Sequence, residues 1–299
     1  MIVIGDLISS YSGVYSESEP LSRHSTIRIG GPAEYFCQPQ SEQELMQLLR
    51  FVREADVPHV FVGRGSNTLF SDEGFHGIVI HPGSRLGKLN LLEPNLLEAG
   101  CAADNATVIR FCADNELSGL EYLIGVPSTL GGAIAMNAGA YGQEIGNMVE
   151  RVRLVDADGI VELDRSEMVF AYRRTDGLKN RFIAKAWLRL RKVSRDEAYV
   201  TTREILSKRK QTQPLNQPSL GSVFKRVPGY FPGQLIEEAG CKGMRVGDVE
   251  VSTLHANFFV NLGNGTAADM VKLIEQVQQR VLEHSGVKLP LEIHLVGFN

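Results

Sequence analysis

The eighteen residues Gly125–Gly142, GVPSTLGGAIAMNAGAYG, hold five glycines and four alanines. Each glycine inside regular structure costs about 1 kcal/mol relative to alanine. The stretch therefore predicts tight turns, or a close approach of the backbone to something else, rather than an ordinary helix or strand. A row of N–H groups with no side chains over them suits a phosphate, which accepts many hydrogen bonds and tolerates little crowding. Ser128, Thr129 and Asn137 can add side-chain donors to the same anion. The composition fits equally a glycine-rich turn between two packed elements.

A second stretch of the same kind lies upstream. Val62–Asp72 reads VGRGSNTLFSD and follows the apolar run His59-Val60-Phe61. A strand that runs into Gly63-Arg64-Gly65-Ser66-Asn67 makes another turn of bare backbone with small hydroxyl and amide donors. Neither stretch is a Walker loop, because no Gly-Lys-Ser/Thr follows the glycines, and neither matches the Rossmann fingerprint. Two phosphate loops of this form in one chain predict a ligand with two phosphates lying between them.

The chain has 299 residues, enough for two or three domains. Its hydrophobic content of 43% and charged content of 22% are those of an ordinary globular protein. A net charge of −4 and a pI near 6.0 give no electrostatic case for nucleic acid or anionic membrane as a partner. A bound anion must then be held by local donors. The start, MIVIGDLISSYSG, has no basic region and no small-residue cleavage site, so it does not read as a signal peptide, and no later run reaches the length of a membrane span. Cys37, Cys101, Cys112 and Cys241 show no C-x-x-C spacing and read as reduced, packed thiols. The histidines show no ligand spacing, and no metal is expected.

Along the chain, residues 1–20 read as a surface segment. His24–Phe36 reads as two short strands around the turn Gly30-Gly31-Pro32. Ser41 caps a helix with Glu44 three residues on and Leu45, Leu48, Leu49 and Val52 on one face. Strands are expected before Gly63, at Gly77–Ile80 and at Leu96–Ala99, with a helix opening at Asn105. Val152–Leu163 reads as a hairpin about Asp158-Gly159, and Phe182–Leu190 as a long strand. Ser194 opens a mostly polar helix to about Lys210, and Gln213–Pro218 cannot continue it. Gln234–Ala239 is a short helix, Ala256–Leu262 a strand, and Thr266 caps a helix ended by Gly286. Leu291–Val296 closes the chain as a strand.

Three positions can carry chemistry. Ser222 lies in Gly221-Ser222-Val223-Phe224-Lys225, where a serine is most often turn chemistry. Arg173 follows Tyr172, which usually means a surface ion pair. Glu292 is a carboxylate in the apolar LPLEIHLVG; on an edge strand it would be solvated, and facing a cleft, desolvation would raise its pKa and make it a donor. The basic run Lys208-Arg209-Lys210 reads first as a solvated helix end.

VGRGSNTLFSDEGFHGIVI followed by GLEYLIGVPSTLGGAIAMNAGAYGQEI resembles the flavin-binding half of the UDP-N-acetylenolpyruvoylglucosamine reductases, and the resemblance runs from about Arg28 to Gly297. It implies an α+β protein: a two-part FAD-binding domain of the p-cresol methylhydroxylase (vanillyl-alcohol oxidase) type, with a C-terminal α+β substrate-binding domain. The parts fall at 20–85, 86–193 and 194–299. Non-covalent FAD would be held by Gly63, Arg64, Gly65, Ser66 and Asn67, and by Gly125, Pro127, Ser128, Thr129, Gly131, Gly132, Asn137, Gly139, Ala140, Tyr141 and Gly142. NADPH would reduce the flavin, and hydride from its N5 would then add to the enolpyruvyl group of UDP-N-acetylglucosamine enolpyruvate, giving UDP-N-acetylmuramate for peptidoglycan. On the same resemblance Ser222 is the proton donor, and Arg173 and Glu292 stabilise the enolised carboxylate. Tyr172, Lys210, Gln213 and Lys225 would bind the substrate. The enzyme would work as a cytoplasmic monomer on a small molecule.

Two departures stand out. Ser128 occupies a position where the family commonly has glycine, and Arg226-Val227 follows Phe224-Lys225 where the family continues Asn-Pro. The interval from Arg173 to Ser222 resembles the shorter form of the enzyme, which lacks a tyrosine-bearing loop, and so implies a more open cleft. The alternatives are a flavin oxidase of alcohols or lactones on the same fold, often with covalent flavin, and a nucleotide-sugar-binding protein without redox chemistry.

Overall fold

The computed structural model describes residue 8, residues 11–178 and residues 181–298. The chain forms two compact units built from interleaved segments. The first comprises Met1–Glu17, Tyr35–Gly63 and Gly77–Ser207; the second comprises Ser18–Glu34, Arg64–His76 and Lys208–Asn299. The helices used below are α1 (Glu42–Glu54), α2 (Asn105–Asp114), α3 (Leu130–Ala135), α4 (Arg195–Thr212), α5 (Pro232–Glu238) and α6 (Ala267–Ser285).

In the first unit, five antiparallel strands pair in the order Ile160–Asp164, Val149–Val155, Phe182–Arg189, Leu96–Gly100 and Leu89–Glu93. The central strand is covered on both faces, so Ile183 and Trp187 are buried along with Phe182, Ala184, Ala186 and Leu188. Trp187 is roofed by the Arg151 guanidinium, 4.4 Å from its ring. Arg151 and Arg153 both pair with Glu162. Helix α1 forms where its cap predicts: Ser41 Oγ accepts from Glu44 N at 3.2 Å, and the Glu44 carboxylate accepts from Gln40 N at 2.9 Å. The first bond caps one of the helix's orphaned amides, and the second fixes the residue that precedes the cap. Leu45, Leu48, Leu49 and Val52 point into the core.

The second unit has a sheet in the order Ser219–Ser222, Phe258–Asn261, Val249–Val251 and Arg245–Val246. Helix α6 belongs to its core through Met270, Leu273, Ile274, Val277 and Val281. Thr266 and Asp269 cap its start, and Gly286 ends it at φ 71°. A further cap comes from far away in sequence: the Asp72 carboxylate accepts from Ala267 N at 2.8 Å and Ala268 N at 3.0 Å. Thr68–Phe70 pairs in parallel with His294–Val296, which joins the end of the chain to the segment after the first glycine-rich loop.

Several expectations are corrected. Within residues 1–20, Ile8 and Tyr11 are buried, whereas Val14–Pro20, a strand, lies largely at the surface as expected; the remainder of that expectation falls on residues 1–7, 9 and 10, outside the described residues. Only the second strand around Gly30-Gly31-Pro32 forms, Pro32–Gln38, and a 3-10 turn, Leu21–His24, precedes it. The intervening segment is held by side chains instead, with Thr26 Oγ1 donating to Ser219 O and Asn261 Nδ2 to Ile27 O. The last strand is shorter than expected, so Glu292 lies outside it, between the bridge Phe224–Leu291 and His294.

Replacing Asp72 with alanine strips α6 of two capping contacts and should cost about 1–2 kcal/mol, read from urea denaturation followed by circular dichroism; a loss of only a few tenths would contradict this role. Glu162 is held below the ordinary carboxylate range, first by its hydrogen bond from Arg153. The unfolded chain therefore takes up this proton at higher pH than the native one. The stabilisation is complete above the ordinary carboxylate range and disappears as pH falls through the lowered value. Glu162→Gln should flatten the acid-side loss of stability reported by Trp187, the chain's one tryptophan; an unchanged slope would remove Glu162 from the account.

Candidate functional site

The glycine-rich stretch is built against the end of the strand Leu96–Gly100. After Gly125, at φ 80°, the chain turns so that Ser128 N donates to Val126 O at 2.9 Å. Asn105, at the start of α2, fastens this turn: its N–H donates to Ser128 O and its side-chain amide to Val126 O. Thr129 then caps α3, its hydroxyl accepting from Gly132 N at 3.3 Å. Leu130 N and Gly131 N donate to Ala103 O and Cys101 O. A β-carbon on Gly131 would lie 2.9 Å from Cys101 Cβ, closer than packed carbons come. Glycine at this position permits helix and strand to touch.

This corrects the sequence reading in two ways. The stretch does contain a helix, six residues long, and the N–H groups of Leu130, Gly131 and Gly132 are committed to the protein rather than displayed. Two of the three expected side-chain donors are also engaged. Ser128 Oγ donates to Thr129 O at 2.9 Å. Asn137, fully buried, directs Nδ2 to Glu144 Oε2 and Ala171 O while Oδ1 accepts from Gly146 N. Thr129 keeps its own hydroxyl hydrogen for another acceptor, because its bond to Gly132 uses a lone pair.

Where the first loop begins, the two stretches meet. A β-carbon on Gly63 would stand 2.5 Å from Thr129 Oγ1. Bare backbone at Gly63 therefore packs directly on the cap of α3, where a side chain would collide with Thr129. Farther on, Gly139-Ala140 pairs with Gln143-Glu144, leaving Tyr141 half-exposed at φ 55° and Gly142 open at φ 77°. Pro127 is exposed. Gly63 and Thr129 are thus packed against each other, whereas Gly142 has open space about it, which is what a diphosphate-bearing cofactor such as FAD requires.

Arg64, Gly65, Ser66 and Asn67 are placed in the second unit. Gly65, at φ 58°, admits no β-carbon because it would collide with His24 O. Its carbonyl accepts from Thr26 N. Asn67 O accepts from His294 N at 2.9 Å, and its side-chain amide donates to Glu292 O at 3.1 Å.

That places Asn67 beside one of the candidate catalytic residues, and Ser222 is close by in the same unit. Ser222 ends the strand Ser219–Ser222 opposite Phe258, just after Gly221 at φ 71°. Glu292 N donates to Val223 O at 2.8 Å and Lys225 N to Pro290 O at 2.8 Å, so Ser222 and Glu292 sit on neighbouring backbone segments. Buried Asn257 grips the same strand, accepting from Phe224 N and donating to Phe224 O while its own carbonyl takes Val223 N. Burial holds the His255 imidazole below its usual pKa, so the neutral ring can accept at Nδ1 from Asn257 N. Arg173, in the first unit, stands at the apex of a hairpin with its guanidinium 5.2 Å from the Tyr172 ring centre and Nη1 donating to Gly139 O. Tyr172 and Lys210 are exposed and Lys225 half-buried. Within the basic run it is Arg209 that is buried, and it donates to Gln213 Oε1. Charge spacing alone carries no signal for which of three consecutive cations turns inward. All four cysteines are buried and free, and burial raises the Cys37 and Cys112 thiols to about 12, well away from reactive thiolates.

With this geometry in view, similarity to known proteins is extensive. Residues 213–296 match the family described as UDP-N-acetylenolpyruvoylglucosamine reductase, C-terminal domain, and residues 33–164 match the family described as FAD binding domain. A UDP-N-acetylenolpyruvoylglucosamine reductase of Heliobacterium modesticaldum is 41% identical over 291 residues, covering 96% of this chain and 92% of the relative. The enzyme of the same name from Caldanaerobacter subterraneus is 39% identical over 284 residues, covering 94% and 93%. The crystal structure of UDP-N-acetylenolpyruvylglucosamine reductase from Thermus caldophilus superposes with a TM-score of 0.82 at 30% identity, covering 95% of this chain and 98% of that one.

If Gly63 and Thr129 are in contact, the substitutions must couple. Gly63→Ala should cost about 1–3 kcal/mol by overpacking, and markedly less in a Thr129→Ala background. Equal costs in both backgrounds, measured by denaturation, would show that the two loops do not touch there.

Proposed function

The chain belongs to the UDP-N-acetylenolpyruvoylglucosamine reductase family, FAD-dependent oxidoreductases of peptidoglycan synthesis, and we propose that it uses NADPH to reduce UDP-N-acetylglucosamine enolpyruvate to UDP-N-acetylmuramate. The observation that carries the proposal is the placement of Ser222 and Glu292 on backbone segments joined by the Glu292 N–Val223 O hydrogen bond. A hydroxyl and a carboxyl carried on adjacent backbone segments suit delivery of a proton to a carbon beside a carboxylate.

When bound, FAD supplies hydride transfer. Backbone and hydroxyl groups of the two glycine-rich stretches would hold it, with Gly63 and Thr129 at the point of closest approach. The remaining work falls to side chains of this chain. Arg173 offers a planar, permanently charged fork that pairs with the substrate carboxylate and draws charge onto it. Donors aimed at developing charge are worth about 3–4 kcal/mol each where they have been removed singly. Ser222 holds the proton that reaches the carbon next to that carboxylate. A serine hydroxyl is a weak acid and can protonate only a strongly basic carbon, which reduction of the double bond creates. Glu292 hydrogen-bonds the same carboxylate. Lys225, Lys210, Gln213 and Tyr172 are assigned to the sugar nucleotide and its diphosphate. Residues 20–85 and 86–193 are proposed to enclose the flavin, and residues 194–299 to bring the proton donor. Among the described residues no helix is long and apolar enough to cross a membrane; the enzyme is proposed to act in the cytoplasm as a monomer.

Separate half-reactions test these roles. Ser222→Ala should leave flavin reduction by NADPH nearly intact and slow reoxidation by substrate by about a hundredfold or more. Equal slowing of both halves would make Ser222 structural. Glu292→Gln keeps a hydrogen-bond donor but no acid, so a modest loss fits a hydrogen-bonding role; a loss as large as that of Ser222→Ala would move Glu292 into proton delivery itself.

A further inference from the structure

Arg173 has an unusual backbone. It forms the turn of the hairpin Val169–Ala171/Arg174–Asp176 together with Tyr172, and its φ is 56°. Glycine or asparagine normally takes such a turn position, because a β-carbon there costs about 1 kcal/mol or more. A strained arginine persists only where its surroundings over-determine it, and the surroundings of Arg173 are specific. Asn137 Nδ2 donates to Ala171 O at 3.1 Å, on the strand leading into the turn. Thr175 Oγ1 donates to Ile134 O at 2.6 Å, on the strand leading out. Arg165 lies 4.6 Å over the Phe170 ring and donates to Gly146 O, whose own N–H bonds Asn137 Oδ1.

Asn137 is the hub of this arrangement. It has no exposed surface, sits at φ 41°, and uses both N–H groups and its carbonyl within the protein. An amide committed in this way cannot also serve a phosphate with its N–H groups. We propose that Asn137, with Thr175, is a positioning residue that holds the strained hairpin so that the Arg173 guanidinium is aimed at the substrate carboxylate, and that it does not bind the cofactor. The inference rests on the proposed pairing of Arg173 with that carboxylate. A guanidinium displaced by about 1 Å loses much of its value in a transition state.

The test compares Asn137→Asp, Thr175→Val and Arg173→Ala. The first keeps size and removes both donors; the second removes one hydroxyl at nearly constant volume and stands in if the first fails to fold. Three readouts are needed: the flavin dissociation constant, the rate of reoxidation at saturating substrate in flavin-loaded protein, and hydrogen exchange of the amides in residues 169–176. Expected are a dissociation constant within about twofold of wild type, reoxidation slowed about tenfold or more, and faster exchange confined to the hairpin. Adding either substitution to Arg173→Ala should slow the reaction by less than about twofold more, since the latch acts through that residue. A raised dissociation constant with normal reoxidation of loaded protein would return Asn137 to the cofactor cradle and overturn the proposal. Full additivity with Arg173→Ala would overturn it as well. Normal reoxidation in Arg173→Ala itself would sink the Arg173 role and the inference together, whereas slow Arg173→Ala beside normal latch variants would sink the inference alone.

Discussion

Thr129 accepts the Gly132 N–H while its oxygen stands 2.5 Å from where a β-carbon on Gly63 would be, and the flavin-binding part of the protein depends on that contact. The cap starts α3, and α3 can lie on the Cys101 backbone only because Gly131 lacks a side chain. The same contact brings the end of the His59–Phe61 strand to the second glycine-rich stretch. Most polar groups along that stretch bond within the protein, so its shape is set before any ligand arrives. Preorganisation of this kind lowers the ordering cost of binding.

The second unit achieves rigidity differently. Ser222 and Glu292 are not close in sequence, and no regular strand contains Glu292. Backbone bonds from Glu292 N to Val223 O and from Lys225 N to Pro290 O bring them to adjacent segments. Asn257 then locks the segment Val223-Phe224 after Ser222 with three hydrogen bonds. Clamped backbone under Ser222 and Glu292, rather than free loop, suits the roles proposed for them in a step that requires close alignment of proton donor and acceptor.

Local signals were readable in the sequence and distant ones were not. The cap of α1 by Ser41 and Glu44, the inward stripe of α6 and its stop at Gly286 depend on neighbours within one helix turn, and each stands where periodicity and cap chemistry place it. The hairpin about Asp158-Gly159 follows for the same reason. The glycines of Gly125–Gly142 marked the site, but their division between close packing and ligand room could not be read, because it depends on Cys101 and Thr129 across the fold. Asp72 caps α6 from 195 residues away, a pairing with no periodicity to announce it. Asn137 looked like a phosphate donor because amides near glycines often are; its three internal partners, Glu144, Gly146 and Ala171, exist only once the hairpin has docked.

We propose that electrons pass from NADPH through the bound flavin to an enolpyruvyl sugar nucleotide. The most direct measurement is anaerobic. The purified protein is bleached with NADPH, UDP-N-acetylglucosamine enolpyruvate is added, and flavin absorbance is followed while the product is identified. Rapid return of the oxidised flavin band with formation of UDP-N-acetylmuramate is expected. A flavin that bleaches but recovers only when air is admitted would contradict it, leaving the fold in place and the substrate wrong.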